Sequence, residues 1–217
     1  MSRVLLRLRK GDEVRYLSHR DMVRAFELAL RRAGIPVAYS EGFNPRPRMS
    51  FGAAVGVGVT SDDERIVLET AEPQEPAEVM TRLNAQLPKG LEILAAEAVP
   101  EEGRRSGSLS ELNASKFRIT LTCGEDCEGG AIEHAIEEML ASGEIRIMRE
   151  REGKVREVNI RPYIIGARVS EDDLEVCLRS SDSGGASPKD FMQAIGALTP
   201  NLSIERIHRL VQYHADD

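Results

Sequence analysis

The chain changes hydrophobic period within its first thirty-five residues, and that change limits what it can fold into. Val4, Leu6 and Leu8 alternate with Arg3, Arg7 and Arg9. This is the period of a strand with one buried face and one basic face. Gly11-Asp12-Glu13 turns the chain. Ser18, with Asp21 three residues on, then has the form of a capping box. Met22, Val23, Phe26, Leu30 and Ala33 recur at helical spacing, and Gly34 and Pro36 stop the helix.

The rest of the first hundred residues continues the alternation of strand and helix. Strands are expected over Met49 to Val59, Arg65 to Thr70 and Leu91 to Val99. Ser61-Asp62-Asp63 is read as a turn, and a helix is expected to start at Pro76 and end at Leu87. The order β-α-β-β-α-β is that of a ferredoxin-like unit. Residues 101–115 are rich in Gly, Ser and charge and read as a linker. A second series follows from Lys116, with helices at Ala131 to Ala141 and Pro188 to Leu198. Its strands are expected at Lys116 to Thr122, Ile145 to Arg149, Val155 to Ile165, Leu174 to Leu178 and Ile204 to Val211. The expectation is an α+β protein of two ferredoxin-like βαββαβ units, 1–100 and 116–217. Each has an antiparallel sheet with helices on one face, and the second has an added strand.

Charge is distributed unevenly. Residues 1–50 hold 11 Lys/Arg and 5 Asp/Glu, a balance of +6, so a chain of −7 carries −13 over residues 51–217. That asymmetry points to an anionic partner for the first unit. The overall negative charge excludes indiscriminate coating of DNA. The 4% aromatic content, with no Trp, excludes a surface built only from stacking rings. Arg3, Arg7, Arg9 and Lys10 leave no room for a signal-peptide core, and no run is long and apolar enough for a membrane span. A cytoplasmic protein is expected. Cys123, Cys127 and Cys177 complete neither a zinc set nor an iron–sulfur motif, so no metal and no cofactor is expected.

The candidate site residues lie between Arg3 and Arg48. Arg20, Arg24 and Arg31 share one stripe of the helix with Glu27; they either track phosphates or form ordinary ion pairs with Glu27. Arg3 and Arg7 on the first strand face, with Arg24, Arg46 and Arg48, are expected to form one continuous positive surface. Ser18 and His19 start the helix. His19 is either a core-edge residue or a general base near a helix N-terminus. In the loop from Tyr39 to Arg48, Gly42 frees a backbone N–H, and Asn44-Pro45 and Arg46-Pro47 stiffen the segment. Arg46 and Arg48 can each fork onto a phosphate and are expected to converge beside the Ser18 end of the helix. Tyr39 and Phe43 stack a base or anchor the loop.

The stretch Arg15 to Glu64, with its RYLSHRD, RRAGIPVAYSEGFNP and small-residue segments, resembles the DUF2344 family, the radical SAM-linked proteins of bacteria. Leu87 to Leu94 and Asn159 to Ile164 fit the same family. Arg20 stands where the family often has Leu, and Arg46 where it often has His; both changes add positive charge. The resemblance implies an accessory or substrate-binding role beside a radical SAM enzyme. Taken with the charge, the expected function is RNA binding in support of such an enzyme. Arg3, Arg7, Arg15, His19, Arg20, Arg24, Arg46 and Arg48 would hold phosphates, Tyr39 and Phe43 would stack, and Ser18, Gly42 and Asn44 would shape the site. Two other readings stay open: an RNA endonuclease with His19 as general base, and an adaptor that docks the radical SAM enzyme through its acidic half.

Overall fold

Val4, Leu6 and Leu8 are almost wholly buried, while Arg7 and Arg9 between them are exposed, so β1 (Ser2–Lys10) keeps the two faces its alternation predicts. A computed structural model of the chain describes residues 2–99, 109–123, 130–151, 153–170, 173–181, 184–199 and 202–216. It divides into two compact units, Met1–Leu112 and Asn113–Asp217. The described residues form an α+β structure with four α-helices and antiparallel strand pairings.

In the first unit α1 (His19–Ala33) starts at a capping box. The Ser18 hydroxyl accepts the Asp21 N–H, and the Asp21 carboxylate accepts the Ser18 N–H. Gly34, at φ +61°, ends it. Met22, Phe26 and Leu30 of α1 pack into one cluster with Val4, Leu6 and Leu8. α2 (Pro76–Asn84) adds Val79 and Leu83 to the same cluster, so both helices cover one face. Arg82 of α2 donates to the carbonyls of Ala33 and Gly34 at the end of α1. β2 (Met49–Phe51), β3 (Val59–Thr70) and β4 (Leu91–Val99) complete the unit. β1 pairs with β3 on one side and β4 on the other, and β2 pairs with β3. The order is therefore β4-β1-β3-β2, all antiparallel.

Two expectations fail here. Ser61, Asp62 and Asp63 are not a turn but lie inside β3, with Ser61 and Asp63 buried. The polar run mimics a turn, yet Asp63 forks onto Arg65 two residues along the same strand, which offsets the cost of burying its charge. The strand expected over Met49 to Val59 ends at Phe51. The glycines release the ladder, and Gly58 at φ +88° donates to the Arg15 carbonyl at 2.9 Å.

The second unit contains β5 (Ala114–Cys123), α3 (Ala131–Ala141), β6 (Arg146–Arg151), β7 (Lys154–Asn159), β8 (Ile164–Ser170), β9 (Asp173–Ser181), β10 (Gly184–Gly185), α4 (Pro188–Gly196) and β11 (Leu202–Tyr213). β5 lies between β9 and β11, and β8 and β10 pair with β9. β6 and β7 form a separate hairpin. The single strand expected over Val155 to Ile165 is thus two strands, parted by a helical turn at Arg161–Tyr163. Most of the expected linker, 100–108, and Cys127 lie outside the described residues, as does the side chain of Cys123. Cys177 is a free thiol. Among the described residues no helix is long and apolar enough to cross a membrane.

The turn at Arg161 explains the Asn159-Ile160-Arg161-Pro162-Tyr163-Ile164 motif as a brace. Asn159 Oδ1 accepts the N–H groups of Ile145 and Arg161. The Arg161 guanidinium donates to the carbonyls of Leu140, Ser142 and Ile164 at 3.0, 3.1 and 3.1 Å, closing the end of α3. Arg161→Lys, which cannot fork across three carbonyls, should lower stability in urea unfolding by about 1.5–3 kcal/mol, the range of a lost charge-assisted bond.

Candidate nucleic-acid interface

Because β1 gives its apolar side to α1, Arg3 and Arg7 face away from the helices and Arg24 of α1 lies on the opposite side of the sheet. The single positive surface expected from the sequence is therefore divided in two. A strand buries alternate residues, so its basic face cannot join the outer face of the helix packed on its other side.

Arg48 belongs with Arg3. Its backbone N–H donates to Ala38, its carbonyl accepts from Glu69, and its guanidinium lies 3.4 Å from the Glu69 carboxylate. Glu69 stands opposite Arg3 in the β1–β3 register. Arg48 thus turns toward a carboxylate on the open sheet face, rather than toward the Ser18 end of α1.

The remaining candidates gather along the β2 edge of the sheet. The loop between Tyr39 and Pro47, which pair as an isolated bridge, is closed by the Ser40 N–H on the Arg46 carbonyl and by the Arg46 N–H on the Ser40 hydroxyl. Gly42 takes φ +125°, with nothing within 4 Å of where a Cβ would stand. The loop is therefore a preformed projection, and it carries Phe43 at 104% exposure and Tyr39 at 52%. Asn44 and Arg46 are exposed beside them. Following β2, Phe51 meets the start of α1, where the His19 ring stands edge-on to it at 5.1 Å. Arg15 lies over the ring of Tyr16 and donates to its hydroxyl. Tyr16 is 67% exposed and is silent in the sequence, because a single tyrosine before a cap carries no periodic signal. Ser18 is engaged in the capping box and is a structural residue of the site.

Arg9, Arg15, Arg48, Arg65 and Arg82 of this unit have carboxylate partners, but other arginines do not. Among the described residues none of Arg3, Arg7, Arg20, Arg24, Arg31 and Arg46 has a carboxylate within 4 Å. The Arg24–Glu27 and Glu27–Arg31 pairs, one of the two readings of the stripe, do not form within 4 Å among the described residues, and the stripe faces solvent, with Arg24 and Arg20 acting on Asp21 only at longer range. In the second unit Arg146 is held by Glu144 and Glu157, Arg149 by Asp190, and Lys116 and Arg168 by Glu175. Hydrogen bonds from Lys116 and then Arg168 hold the Glu175 carboxyl below its ordinary range. Among the described residues no cluster of three or more His, Cys, Asp or Glu could hold a metal ion.

The fold and the exposed edge are those of a small α+β protein that presents unpaired cations and aromatic rings. The chain belongs to a bacterial family described as an uncharacterized protein conserved in bacteria (DUF2344), whose model matches residues 3–188. No curated protein matches it. Its fold is similar to that of a chain from a Cbf5-Nop10-Gar1 complex, at TM-score 0.52 and 12% identity, covering 99% of this chain and 50% of that one. It is also similar to a chain from an H/ACA RNP bound to a substrate RNA containing 2'-deoxyuridine, at TM-score 0.52 and 14% identity, covering 99% and 49%. This chain spans about half the length of those chains.

The start of α1 has a pH signature. The Ser18 hydroxyl, and then its backbone N–H, hold the Asp21 carboxyl below the ordinary aspartate value of 3.8. A lowered folded-state value stabilises above the unfolded value and is lost as pH falls through the folded one. The protection of first-turn amides of α1, measured against their intrinsic exchange at each pH, should hold at neutral pH and fall as pH drops below 3.8. In Asp21→Asn the first turn should exchange faster at neutral pH and lose this step.

Proposed function

We propose that the chain binds single-stranded RNA along the β2 edge of its first unit. One observation carries this reading: a preformed loop holds Phe43 wholly in solvent beside Arg46, which has no carboxylate within 4 Å among the described residues. An exposed phenyl ring on a rigid projection gains most from a flat partner, and an unpaired guanidinium gains most from an anion. Single-stranded RNA supplies both, as bases that stack and phosphates that accept. Tyr39, Tyr16 and Arg15 extend the same edge, and Arg20 and Arg24 continue it along α1. The similarity in fold to a chain from an RNP bound to a substrate RNA supports the choice of RNA over an acidic protein.

Both units are read here as ferredoxin-like domains, 1–100 and 116–217, joined by a linker. The order β4-β1-β3-β2, in which β3 separates the parallel strands joined by α1, supports this for the first. The arrangement of β11, β5, β9 and β8 supports it for the second, with β6–β7 as an inserted hairpin. His19 contacts Phe51 and makes no hydrogen bond among the described residues, so no geometry favours the nuclease reading. The adaptor reading has one observation behind it. A groove of about 440 Å³ between α3, α4 and β6 is lined by Met139, Ile147, Met148 and Leu198 and rimmed by Glu138 and by the Glu144–Arg146 ion pair. It suits an amphipathic segment of a radical SAM enzyme, the partner the family resemblance suggests.

Fluorescence anisotropy with a labelled single-stranded RNA tests the main reading. Stacking on one ring is worth about 1–3 kcal/mol, so Phe43→Ala should weaken binding roughly 5- to 150-fold. Adding Arg46→Ala should weaken it further and reduce the salt dependence. With about four phosphates held, the log–log salt slope should be near −3. Thermal stability of the double variant should stay within about 0.5 kcal/mol, as for other exposed positions. A salt-independent affinity, or one unchanged by Phe43→Ala, would remove the RNA interface from this edge.

A further inference from the structure

The open face of the first unit's sheet carries a second site. At its centre Arg7 of β1 stands directly opposite Arg65 of β3 and Ala95 of β4. One row along, Leu5 stands opposite Val67 and Glu97. Between these rows opens a cleft of about 260 Å³ lined by Leu5, Arg7, Arg65, Ala95 and Glu97.

Three features make this more than a surface dimple. First, like charges directly opposite on neighbouring strands repel, and only one of this pair is compensated. Arg65 is held by both oxygens of Asp63, whose side chain is 1% exposed. Its Nη1 stays free, and Arg7 has no carboxylate within 4 Å among the described residues. Two guanidinium groups therefore border one opening with donors to spare. Secondly, the β1–β4 register slips between Arg7 and Leu8, so that Leu94 has no partner. Such a bulge re-aims the side chains beside it, and it places the small Ala95 where a larger residue would fill the cleft. Thirdly, Glu97 lies on the other side of the opening and forms no ion pair within 4 Å among the described residues. The cleft thus offers donors at one end, an apolar floor of Leu5 and Ala95 in the middle, and an acceptor-only carboxylate at the other.

We propose that this cleft binds one guanine nucleotide. Its phosphate would lie on Arg7 and the free Nη1 of Arg65, its base over Leu5 and Ala95, and its Watson–Crick edge on Glu97. Guanine is the common base that offers two adjacent donors on that edge, N1–H and the N2 amino group, matching the two oxygens of a carboxylate. Adenine and cytosine set an amino group beside a ring acceptor, which a carboxylate repels, and uracil offers a single N–H. At about 260 Å³ the cleft lies just under the roughly 300–1,000 Å³ of drug-sized ligand sites, so one mononucleotide fills it and nothing larger does. It lies on the face of the sheet away from α1 and stands independently of the loop interface. A free nucleotide and a guanosine within an RNA strand present the same chemistry.

Calorimetry and chemical-shift titration of the full chain with GMP, AMP, UMP and inorganic phosphate decide it. GMP should bind saturably, with AMP and UMP weaker by about tenfold or more, a difference of about 1.4 kcal/mol. Ala95→Leu fills the cleft without removing a charge and should abolish GMP binding while RNA binding through Phe43 persists. Should that variant fail to fold, Arg7→Ala and Glu97→Gln, both at exposed positions, read the same site. Arg7→Ala should cost GMP affinity, and Glu97→Gln should erase the preference for GMP over AMP. In the Phe43→Ala, Arg46→Ala background, a short RNA with a single guanosine that binds far more tightly than GMP, and loses that binding on Ala95→Leu, would identify a strand as the source, and equal affinity a free nucleotide; either supports the site. Phosphate binding as well as GMP, or GMP binding untouched by all three substitutions, overturns it.

Discussion

The packing of α1 on β1 is the contact on which the rest of the first unit depends. Met22, Phe26 and Leu30 must meet Val4, Leu6 and Leu8, because neither apolar surface has another cover. Deleting a side chain as buried as Phe26 costs about 3–5 kcal/mol, a large part of a typical domain's net stability. Once the two meet, the side chains left over have no choice of direction. Arg3, Arg7 and Arg9 go to the open face of the sheet, and Arg20, Arg24 and Arg31 go to the outer face of the helix. The division of the cations into two fields is thus a consequence of burial, and any binding function must use the fields separately or meet them at the sheet edge.

What was legible in the sequence follows from how local each signal is. The limits of α1 are written in Ser18, Asp21 and Gly34, which act within one turn, and its extent comes out as read. β1 is equally plain because its apolar residues alternate, and β4 is plain as an apolar run following Gly90. The start of β3 is hidden because Ser61, Asp62 and Asp63 look like a turn, while the partner that makes Asp63 acceptable in a strand is a side chain, Arg65, and ion pairing is not a propensity. The break between Val155 and Ile165 is hidden because Arg161 bends the chain for the carbonyls at the end of α3, some twenty residues upstream. At the site, the Gly42 loop was visible through its glycine and prolines. The turning of Arg48 toward Glu69 was not, as it depends on which strand lies alongside.

Charge counting shows the same limit from another side. The first fifty residues carry +6 and the remainder −13, but counts do not say which cations are engaged. In the second unit Arg146, Arg149, Arg168 and Lys116 each have a carboxylate, and Arg161 is taken up by backbone carbonyls. In the first unit Arg9, Arg15, Arg48, Arg65 and Arg82 are paired, while among the described residues Arg3, Arg7, Arg20, Arg24, Arg31 and Arg46 are not. An exposed ion pair contributes only ~0.2–1 kcal/mol to stability, so leaving these six unpaired sacrifices little in the fold. It leaves guanidinium groups whose forks are ready for phosphate.

The acidic remainder then has a physical role of its own. A polyanion approaching this chain meets repulsion over most of the sequence and attraction near unpaired arginines, so the same charge that lowers overall affinity sharpens where contact is made. Aromatic groups decide the register within that region, because a phosphate can slide from one arginine to the next but a base stacked on Phe43 cannot. The scarcity of aromatics, at 4% of the chain, makes their placement telling. Two of the four tyrosines and the most exposed phenylalanine lie on the β2 edge of the first unit, where unpaired cations are also found. Rings spent in solvent add nothing to a core, and a chain with few of them that still commits three to one edge has an edge shaped for a partner with flat faces and negative charge.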